Sequence, residues 1–140
     1  MKISKTFRWE MGHRLPNHPG GCRNLHGHSY RMRVEIEGEP GADGMIIDFD
    51  DVSAAVRPAV DALDHAFLVE AGDEALVEFL RTHELKYVLT DDPTTVEHIC
   101  IHLAEQIRPA LAARENVQAF TVVVHETETS SAEVTVPVSE

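Results

Sequence analysis

Cys22, His26 and His28 fall within one short stretch, Cys22-Arg23-Asn24-Leu25-His26-Gly27-His28. If this stretch leads into a β-strand, side chains alternate between the two faces, and His26 and His28 point the same way. Two imidazoles on one face can bind one cation. A third nitrogen would complete the open, three-ligand arrangement that is typical of catalytic zinc.

The third nitrogen is expected from His13. Apolar side chains alternate along residues 3–13 and place His13 at the end of the apolar face, and a second alternating run covers residues 26–36 on the same face as His26 and His28. The two runs predict an antiparallel hairpin with a long loop, which brings His13 beside the other two. The sequence therefore predicts a zinc site made of His13, His26 and His28.

Cys22 allows two interpretations. As a fourth ligand it would close the coordination shell and make the site structural. As a thiolate off the metal it would act as a base or nucleophile, and the neighbouring Arg23 favours the thiolate form.

Three more side chains could take part in chemistry. Asp64 precedes His65 at the expected end of a helix, and a carboxylate that orients a histidine is a common way to set up a general acid or base. The pair could equally be a feature of the helix end that has no role in chemistry. Glu126 continues the apolar face of Phe120, Val122 and Val124, so it should point inward. Its carboxylate then needs a partner, either a buried cation or the N–H groups of a ligand.

The remaining pattern predicts an α+β fold with an antiparallel sheet. The expected order is strand, strand, helix, helix, helix, strand, strand. After the hairpin, a short strand or extended lead-in is predicted at 45–49. A helix capped by Asp50 or Asp51 follows and runs to Leu63, and Pro58 should kink or limit it. The later predicted elements are a helix within 73–84, an extended segment at 86–89, a helix from Val96 up to Pro109, and strands at 120–126 and 134–138.

Length and composition indicate one domain covering residues 1–140, with 43% hydrophobic and 26% charged residues. No apolar run has the length of a membrane span, and a cytoplasmic location is expected. The net charge of −12 argues against nucleic acid or an anionic membrane as partner. Residues 1–33 are the exception, because they hold seven basic side chains and one acid, a local net charge of +6 that suits a small anionic substrate.

The order of several motifs resembles the 6-pyruvoyl-tetrahydropterin synthase / 6-carboxy-tetrahydropterin synthase family. The matching pieces run across about nine-tenths of the chain in the family's order. They are Gly12-His13-Arg14-Leu15, Cys22-x-x-x-His26-Gly27-His28-Ser29-Tyr30, Gly44-Met45-Ile46-Ile47-Asp48-Phe49, Leu63-Asp64-His65, Pro93-Thr94-Thr95-x-Glu97 and Glu126-Thr127.

The resemblance implies a tunnelling fold, in which a four-stranded antiparallel sheet carries helices on one face. Strands of three subunits would pool into a barrel, and two trimers would form a homohexamer with sites at subunit interfaces. It implies zinc on His13, His26 and His28. It also implies a proton-transfer group of Cys22, Asp64 and His65.

The substrate that the resemblance implies is 7,8-dihydroneopterin triphosphate. Glu126 would hold the pterin ring with Thr94 or Thr95 nearby, and Arg14 and Arg23 are expected triphosphate contacts. The spacing of the cysteine and histidine motif resembles the bacterial branch that forms 6-carboxy-tetrahydropterin, a precursor of queuosine. The alternatives are 6-pyruvoyl-tetrahydropterin formation from the same substrate and a metal- or pterin-binding module without turnover.

Overall fold

In the computed structural model, which describes residues 1–139, a six-stranded mixed sheet carries three helices. The order of the strands across the sheet is β4-β3-β1-β2-β5-β6. In chain order the elements are β1 (Lys2–His13), β2 (His26–Gly38), α1 (Phe49–Leu63), β3 (Ala66–Glu70), α2 (Glu74–Thr82), β4 (Tyr87–Thr90), α3 (Val96–Ala112), β5 (Val117–His125) and β6 (Ser131–Pro137).

The predicted hairpin is confirmed. β1 and β2 pair antiparallel along their whole length, from Lys2 opposite Glu37 to His13 opposite His26. The alternating apolar side chains of both strands are buried in the main core, together with those of β5. Because one face is buried, a slip of one residue would expose the whole apolar set, and this fixes the register.

The sheet is larger than expected. The four antiparallel strands β1, β2, β5 and β6 are present, but β3 was missed, and it pairs parallel with β1 and with β4. A five-residue apolar run such as Ala66–Glu70 has no period that marks it as a strand. The exclusively antiparallel sheet predicted from the residues therefore gains a parallel edge.

The helices lie on both sides of this sheet. α1 and α3 pack on the main core. α2 packs through Leu76 and Leu80 against Val69 in a second, smaller cluster, whereas Leu68 belongs to the main core. Since neighbouring residues of a strand point to opposite faces, α2 lies on the other face of the sheet.

Several predicted boundaries are wrong by a few residues. The N-cap of α1 is Asp48, whose carboxylate accepts a hydrogen bond from the Asp50 backbone N–H at 2.7 Å, so neither Asp50 nor Asp51 is the cap. Residues 45–48 do not form a strand, and the chain bends at Ile46 and Ile47 before α1 begins. Pro58 does not end α1, and α3 continues past Pro109 to Ala112, since each proline removes only its own N–H from the helix.

Within residues 1–139, no helix is long and apolar enough to cross a membrane.

Candidate metal centre and associated site

The hairpin register brings the three predicted metal ligands together. His13 lies directly opposite His26, and His28 follows two residues later on the same face of β2. The ring centroids are 4.7 Å apart for His13 and His26, 5.2 Å for His13 and His28, and 5.0 Å for His26 and His28. One ring nitrogen from each lies within 4.8 Å of the other two. The predicted convergence of the three imidazoles is confirmed.

Backbone carbonyls fix which nitrogen of two histidines is free. His13 Nδ1 lies 2.8 Å from the carbonyl oxygen of Thr94, and His26 Nδ1 lies 2.7 Å from that of Asn24. A carbonyl oxygen only accepts hydrogen bonds, so each Nδ1 carries the hydrogen. Nε2 of both rings therefore presents a lone pair, which is the state that a metal ligand needs.

Burial favours the neutral form of His13 and His28. It is the largest effect on the pKa of His13 and of His28, and it lowers both. His13 is only 2% exposed, and within the described chain its Nε2 has no hydrogen-bond partner. An unpartnered buried nitrogen is costly unless something binds it. Three imidazoles whose ring nitrogens converge on one point fit a zinc ion.

Glu126 faces the same space. Its Oε1 lies 3.5 Å from His13 Nε2 and 3.7 Å from His28 Nε2, so the carboxylate points inward as predicted. These separations exceed a normal hydrogen bond. The oxygens remain available to a ligand placed beside the histidines.

Tyr30 borders this space and was not predicted as part of it. Its ring stacks on Trp9 with centroids 5.2 Å apart and meets His28 edge-on at 5.6 Å. Burial, followed by the negative charge of Glu126, raises the pKa of its hydroxyl, which therefore stays protonated. The strand alternation already placed Tyr30 on the histidine face, but a tyrosine there is equally typical of a core.

Cys22 lies outside the metal cluster. It belongs to a short 3₁₀ turn, Gly21–Arg23, whose position is tied to the end of β1 by a hydrogen bond of 2.8 Å from the Leu15 N–H to the Cys22 carbonyl. The side chain is partly exposed. Its sulfur is not among the ligand atoms that converge with the histidines. This arrangement favours a thiol that is not a fourth ligand.

Asp64 and His65 form the predicted pair. His65 Nδ1 lies 3.0 Å from Asp64 Oδ1, and the same oxygen accepts a hydrogen bond of 2.9 Å from the Glu10 backbone N–H. That backbone hydrogen bond, more than the bond to His65, lowers the pKa of Asp64. The carboxylate is therefore held ionised and oriented toward an imidazole that is 78% exposed.

The pair lies on the opposite side of the sheet from the histidine cluster. His65 lines a cleft of about 320 Å³ together with Glu10, Ser29 and Phe67, and the same cleft also reaches His28. Glu10 and Ser29 are an odd number of residues from His13 and His28, so their side chains occupy the other face. In a single copy of the chain, His65 is not among the imidazoles whose nitrogens converge, although it borders the same cleft as His28.

Of the other residues predicted to contact the substrate, Thr94, Thr95 and Arg14 have hydrogen-bond partners within the protein. Thr94 is buried, and its hydroxyl donates to the Arg14 carbonyl at 3.0 Å, while Thr95 caps α3. The Arg14 guanidinium makes two hydrogen bonds of 2.6 Å to Asp73. Arg23 follows Cys22 in the 3₁₀ turn. The Thr94 carbonyl that orients His13 could not be predicted, because any residue type supplies a carbonyl.

Comparison with known proteins points to one family. The sequence model of 6-pyruvoyl tetrahydropterin synthase matches residues 2–137. The chain is 37% identical over 146 residues to a putative 6-carboxy-5,6,7,8-tetrahydropterin synthase of Pyrococcus abyssi, covering 96% of this chain and 89% of that protein. It is 35% identical over 124 residues to a probable 6-carboxy-5,6,7,8-tetrahydropterin synthase of Halobacterium salinarum, covering 88% and 79%.

A shorter match has higher identity. The chain is 44% identical over 78 residues to the 6-carboxy-5,6,7,8-tetrahydropterin synthase of Haemophilus influenzae, which covers 52% of this chain and 55% of that protein. Among solved structures, 6-pyruvoyl tetrahydropterin synthase of Plasmodium falciparum superimposes with a TM-score of 0.73 at 18% identity over 98% of both chains. The Caenorhabditis elegans enzyme of the same name gives 0.69 at 20% identity, covering 96% and 94%. These structures share the fold.

Proposed function

Because the chain belongs to the 6-pyruvoyl tetrahydropterin synthase family, we propose that it is a zinc-dependent 6-carboxy-5,6,7,8-tetrahydropterin synthase acting on 7,8-dihydroneopterin triphosphate. The observation that carries the choice of product is the similarity to relatives of that name, at 35% and 37% identity over most of the chain. The reaction takes up water, eliminates triphosphate and cleaves the side chain to acetaldehyde. It would supply a precursor of queuosine in the cytoplasm.

His13, His26 and His28 would hold the zinc ion, since their free nitrogens converge and His13 Nε2 lacks another partner. The bound metal would supply Lewis-acid polarisation of the substrate's side-chain oxygens. The protein's own side chains must then bind the pterin and move protons.

Glu126 is the proposed anchor of the pterin ring. A carboxylate accepts hydrogen bonds from the ring N–H groups, and Oε1 lies within 3.7 Å of the Nε2 atoms of His13 and His28 without a hydrogen bond to them. The ring would then lie beside the metal centre. Thr94 and Thr95 border it at the start of α3, and Arg14 would contact triphosphate only if its pair with Asp73 opened.

Cys22 is the proposed base, as a thiolate that Arg23 next to it favours. His65 is the proposed proton shuttle. Asp64 receives the Nδ1 hydrogen of His65, which leaves Nε2 to accept or return a proton at the substrate.

We also propose that a second copy of the chain supplies Asp64 and His65 to each metal centre. His65 does not converge with the three histidines within one copy, and its 78% exposure leaves it free to reach a neighbouring subunit. A homohexamer built as a dimer of trimers, with strands pooled into a barrel, would provide such interfaces.

Product identification tests the proposal. Zinc-loaded protein is incubated anaerobically with 7,8-dihydroneopterin triphosphate, and triphosphate, acetaldehyde and the pterin mass are measured. Release of both triphosphate and acetaldehyde supports the proposal. Triphosphate without acetaldehyde indicates the 6-pyruvoyl product, and a protein that binds zinc and pterin without release of either is a binding module.

A Cys22→Ala variant tests the assignment of the base in the same assay. It should keep one zinc per chain and lose at least about 100-fold in activity, the usual range for a general base. Loss of zinc in this variant would instead identify Cys22 as a ligand.

A further inference from the structure

The turn that carries His65 has a backbone conformation that few residues other than glycine adopt. α1 ends at Leu63, Asp64 caps it, and His65 follows with a φ of 57°, in the left-handed region. A residue with a Cβ adopts this conformation at a cost in free energy, and the conformation persists only where surrounding contacts hold it. The direction of the His65 imidazole therefore depends on the contacts of this turn.

On one side, the turn is held by the backbone of β1. The Glu10 N–H donates to Asp64 Oδ1 at 2.9 Å, and the His65 N–H donates to the Glu10 carbonyl at 2.7 Å. In a continuing α-helix, the His65 N–H would instead donate to the carbonyl of Asp61. The contact with β1 thus ends the helix and leaves the Asp61 carbonyl without that donor.

On the other side, the turn is held by a side chain. Nζ of Lys86, the residue before β4, donates to the Asp61 carbonyl at 2.8 Å and to the Asp64 carbonyl at 2.7 Å. The last carbonyls of a helix lack intrahelical partners and carry a partial negative charge, which an ammonium group stabilises. α1 has no basic residue in its own last turn. Lys86 therefore supplies the donor from a distant part of the sequence.

The backbone of Lys86 is held in place as well. Its carbonyl accepts a hydrogen bond of 3.1 Å from the Phe67 N–H, and Tyr87 lies opposite Phe67 where β4 pairs with β3. Phe67 and Tyr87 also pack on the smaller core cluster, to which α2 contributes. The segment from β3 to β4 thus connects the end of α1 to a packed support, and Lys86 makes the connection.

From this geometry we infer that Lys86 is a positioning residue for His65, because it holds the turn that carries the imidazole. The inference rests on the proposed role of His65 as proton shuttle. Without the ammonium group, the carbonyls of Asp61 and Asp64 lose their donor, and only the contacts with Glu10 hold the turn. The imidazole then spends part of the time away from its productive direction, which slows proton transfer and leaves substrate binding intact.

Steady-state kinetics of three zinc-loaded variants test the inference. Lys86→Met keeps most of the apolar stem and removes the donors, whereas Lys86→Arg keeps donors at a similar distance. Because Lys86 is exposed, neither substitution removes a core contact. The matched control is Lys5→Met, which removes a lysine that donates to the Phe49 carbonyl at 3.2 Å, at the opposite end of α1.

The expected result is a loss of kcat without a change in KM. Lys86→Met should lower kcat for the pterin triphosphate by about tenfold or more, with KM and zinc content within about twofold of the parent. Lys86→Arg should recover at least about half of the parental kcat, since a guanidinium can also donate to two carbonyls. Lys5→Met should have the kinetics of the parent.

Hydrogen exchange measured by mass spectrometry reports on the turn itself and does not require turnover. The His65 N–H is protected by its bond to the Glu10 carbonyl. In Lys86→Met, the peptide that contains His65 should exchange about tenfold faster or more, because the turn opens locally. Peptides from β2 should exchange as in the parent, which shows that the hairpin is intact.

An unchanged exchange rate at His65 in Lys86→Met overturns the inference, whether or not the protein turns over substrate. Faster exchange with an unchanged kcat also overturns it, because the lysine then only stabilises the end of the helix. A loss of kcat that Lys86→Arg does not recover counts against it in the same way. A parent without turnover bears on the proposed function alone, and hydrogen exchange then decides whether Lys86 holds the turn.

Discussion

The histidine cluster and the Asp64–His65 pair are built in opposite ways. The three histidines are positioned by one hairpin, and two of them are oriented by backbone carbonyls of the same chain. His13 is 2% exposed, whereas His65 is 78% exposed. The carboxylate of Asp64 is fixed by the Glu10 backbone, but nothing in the described chain covers the imidazole that it orients.

The comparison shows which group one chain assembles by itself, the histidine cluster, and which group it leaves exposed, the Asp64–His65 pair. Metal ligands must converge before binding, so they are placed on the most rigid part of the sheet, where a buried face fixes the register. A proton shuttle needs only one oriented imidazole that reaches the substrate. An exposed pair at the end of α1 can be delivered to a neighbouring copy, so the histidine cluster should depend on its own chain alone and His65 should act across an interface.

The largest effect is expected from the metal ligands. His26→Ala should reduce the metal content from about one zinc per chain to near zero, and activity should fall by more than the 10- to 100-fold typical of losing a ligand's supporting contact. Metal analysis after gel filtration and an activity assay measure both. His83→Ala, which alters an exposed histidine on the far side of α2, is the control and should change neither. Full zinc content in His26→Ala would disprove the assignment of the cluster.

Mixed assemblies test the division between the two groups. His65→Ala should keep its zinc and be almost inactive, and His26→Ala should be inactive without zinc. If each centre combines one copy's histidines with another copy's His65, unfolding and reassembling the two variants together in equal amounts should restore about a quarter of the parental sites. Each variant reassembled alone is the control. A mixture that stays inactive, in assemblies shown by mass measurement to contain both chains, would place both groups in one copy.

A smaller effect is expected on the stability of the folded protein when the pair of Arg14 and Asp73 is broken. Arg14, the residue after His13, is tied to α2 by its paired hydrogen bonds to Asp73, and these lower the pKa of the Asp73 carboxyl. Asp73→Asn should reduce the free energy of unfolding by about 1–3 kcal/mol at pH 7. The zinc content should not change, because the hairpin positions the histidines without α2.

The pH dependence of that loss follows from the direction of the shift. A carboxyl whose pKa is lower in the folded protein stabilises it above the unfolded pKa of about 3.9, and this contribution disappears as the pH falls through the folded value. The stabilities of parent and variant, measured by denaturant unfolding, should therefore begin to converge only below about pH 4 and continue to converge as the pH falls further. Glu78→Gln, which breaks an exposed pair with Arg81, should cost at most about 1 kcal/mol at any pH. A constant difference between Asp73→Asn and the parent down to pH 3 would exclude the ion pair as its cause.

The sequence alone was sufficient to predict the hairpin and the three histidines that converge on it. Alternation from Ile3 to His13, interrupted only by Lys5, and from His26 to Ile36 specifies both strands, their buried faces and therefore the convergence of the three imidazoles. The inward direction of Glu126 followed from the same period. Helical spacing located α1 and α3, although their ends moved by a few residues because helix caps and prolines near the ends allow more than one boundary.

Only the tertiary structure could decide what lies next to what across the sheet. β3 has no periodic signal, so its parallel pairing with β1, and with it the side on which His65 and α2 lie, depends on long-range contacts. The Thr94 carbonyl that sets the tautomer of His13 comes from 81 residues away. Local pattern determines which face of a strand a side chain takes, whereas the packing of distant segments determines its neighbours. For this reason residues 22–28 were enough to predict a metal site, whereas the position of the proposed proton shuttle, His65, could be seen only in the folded chain.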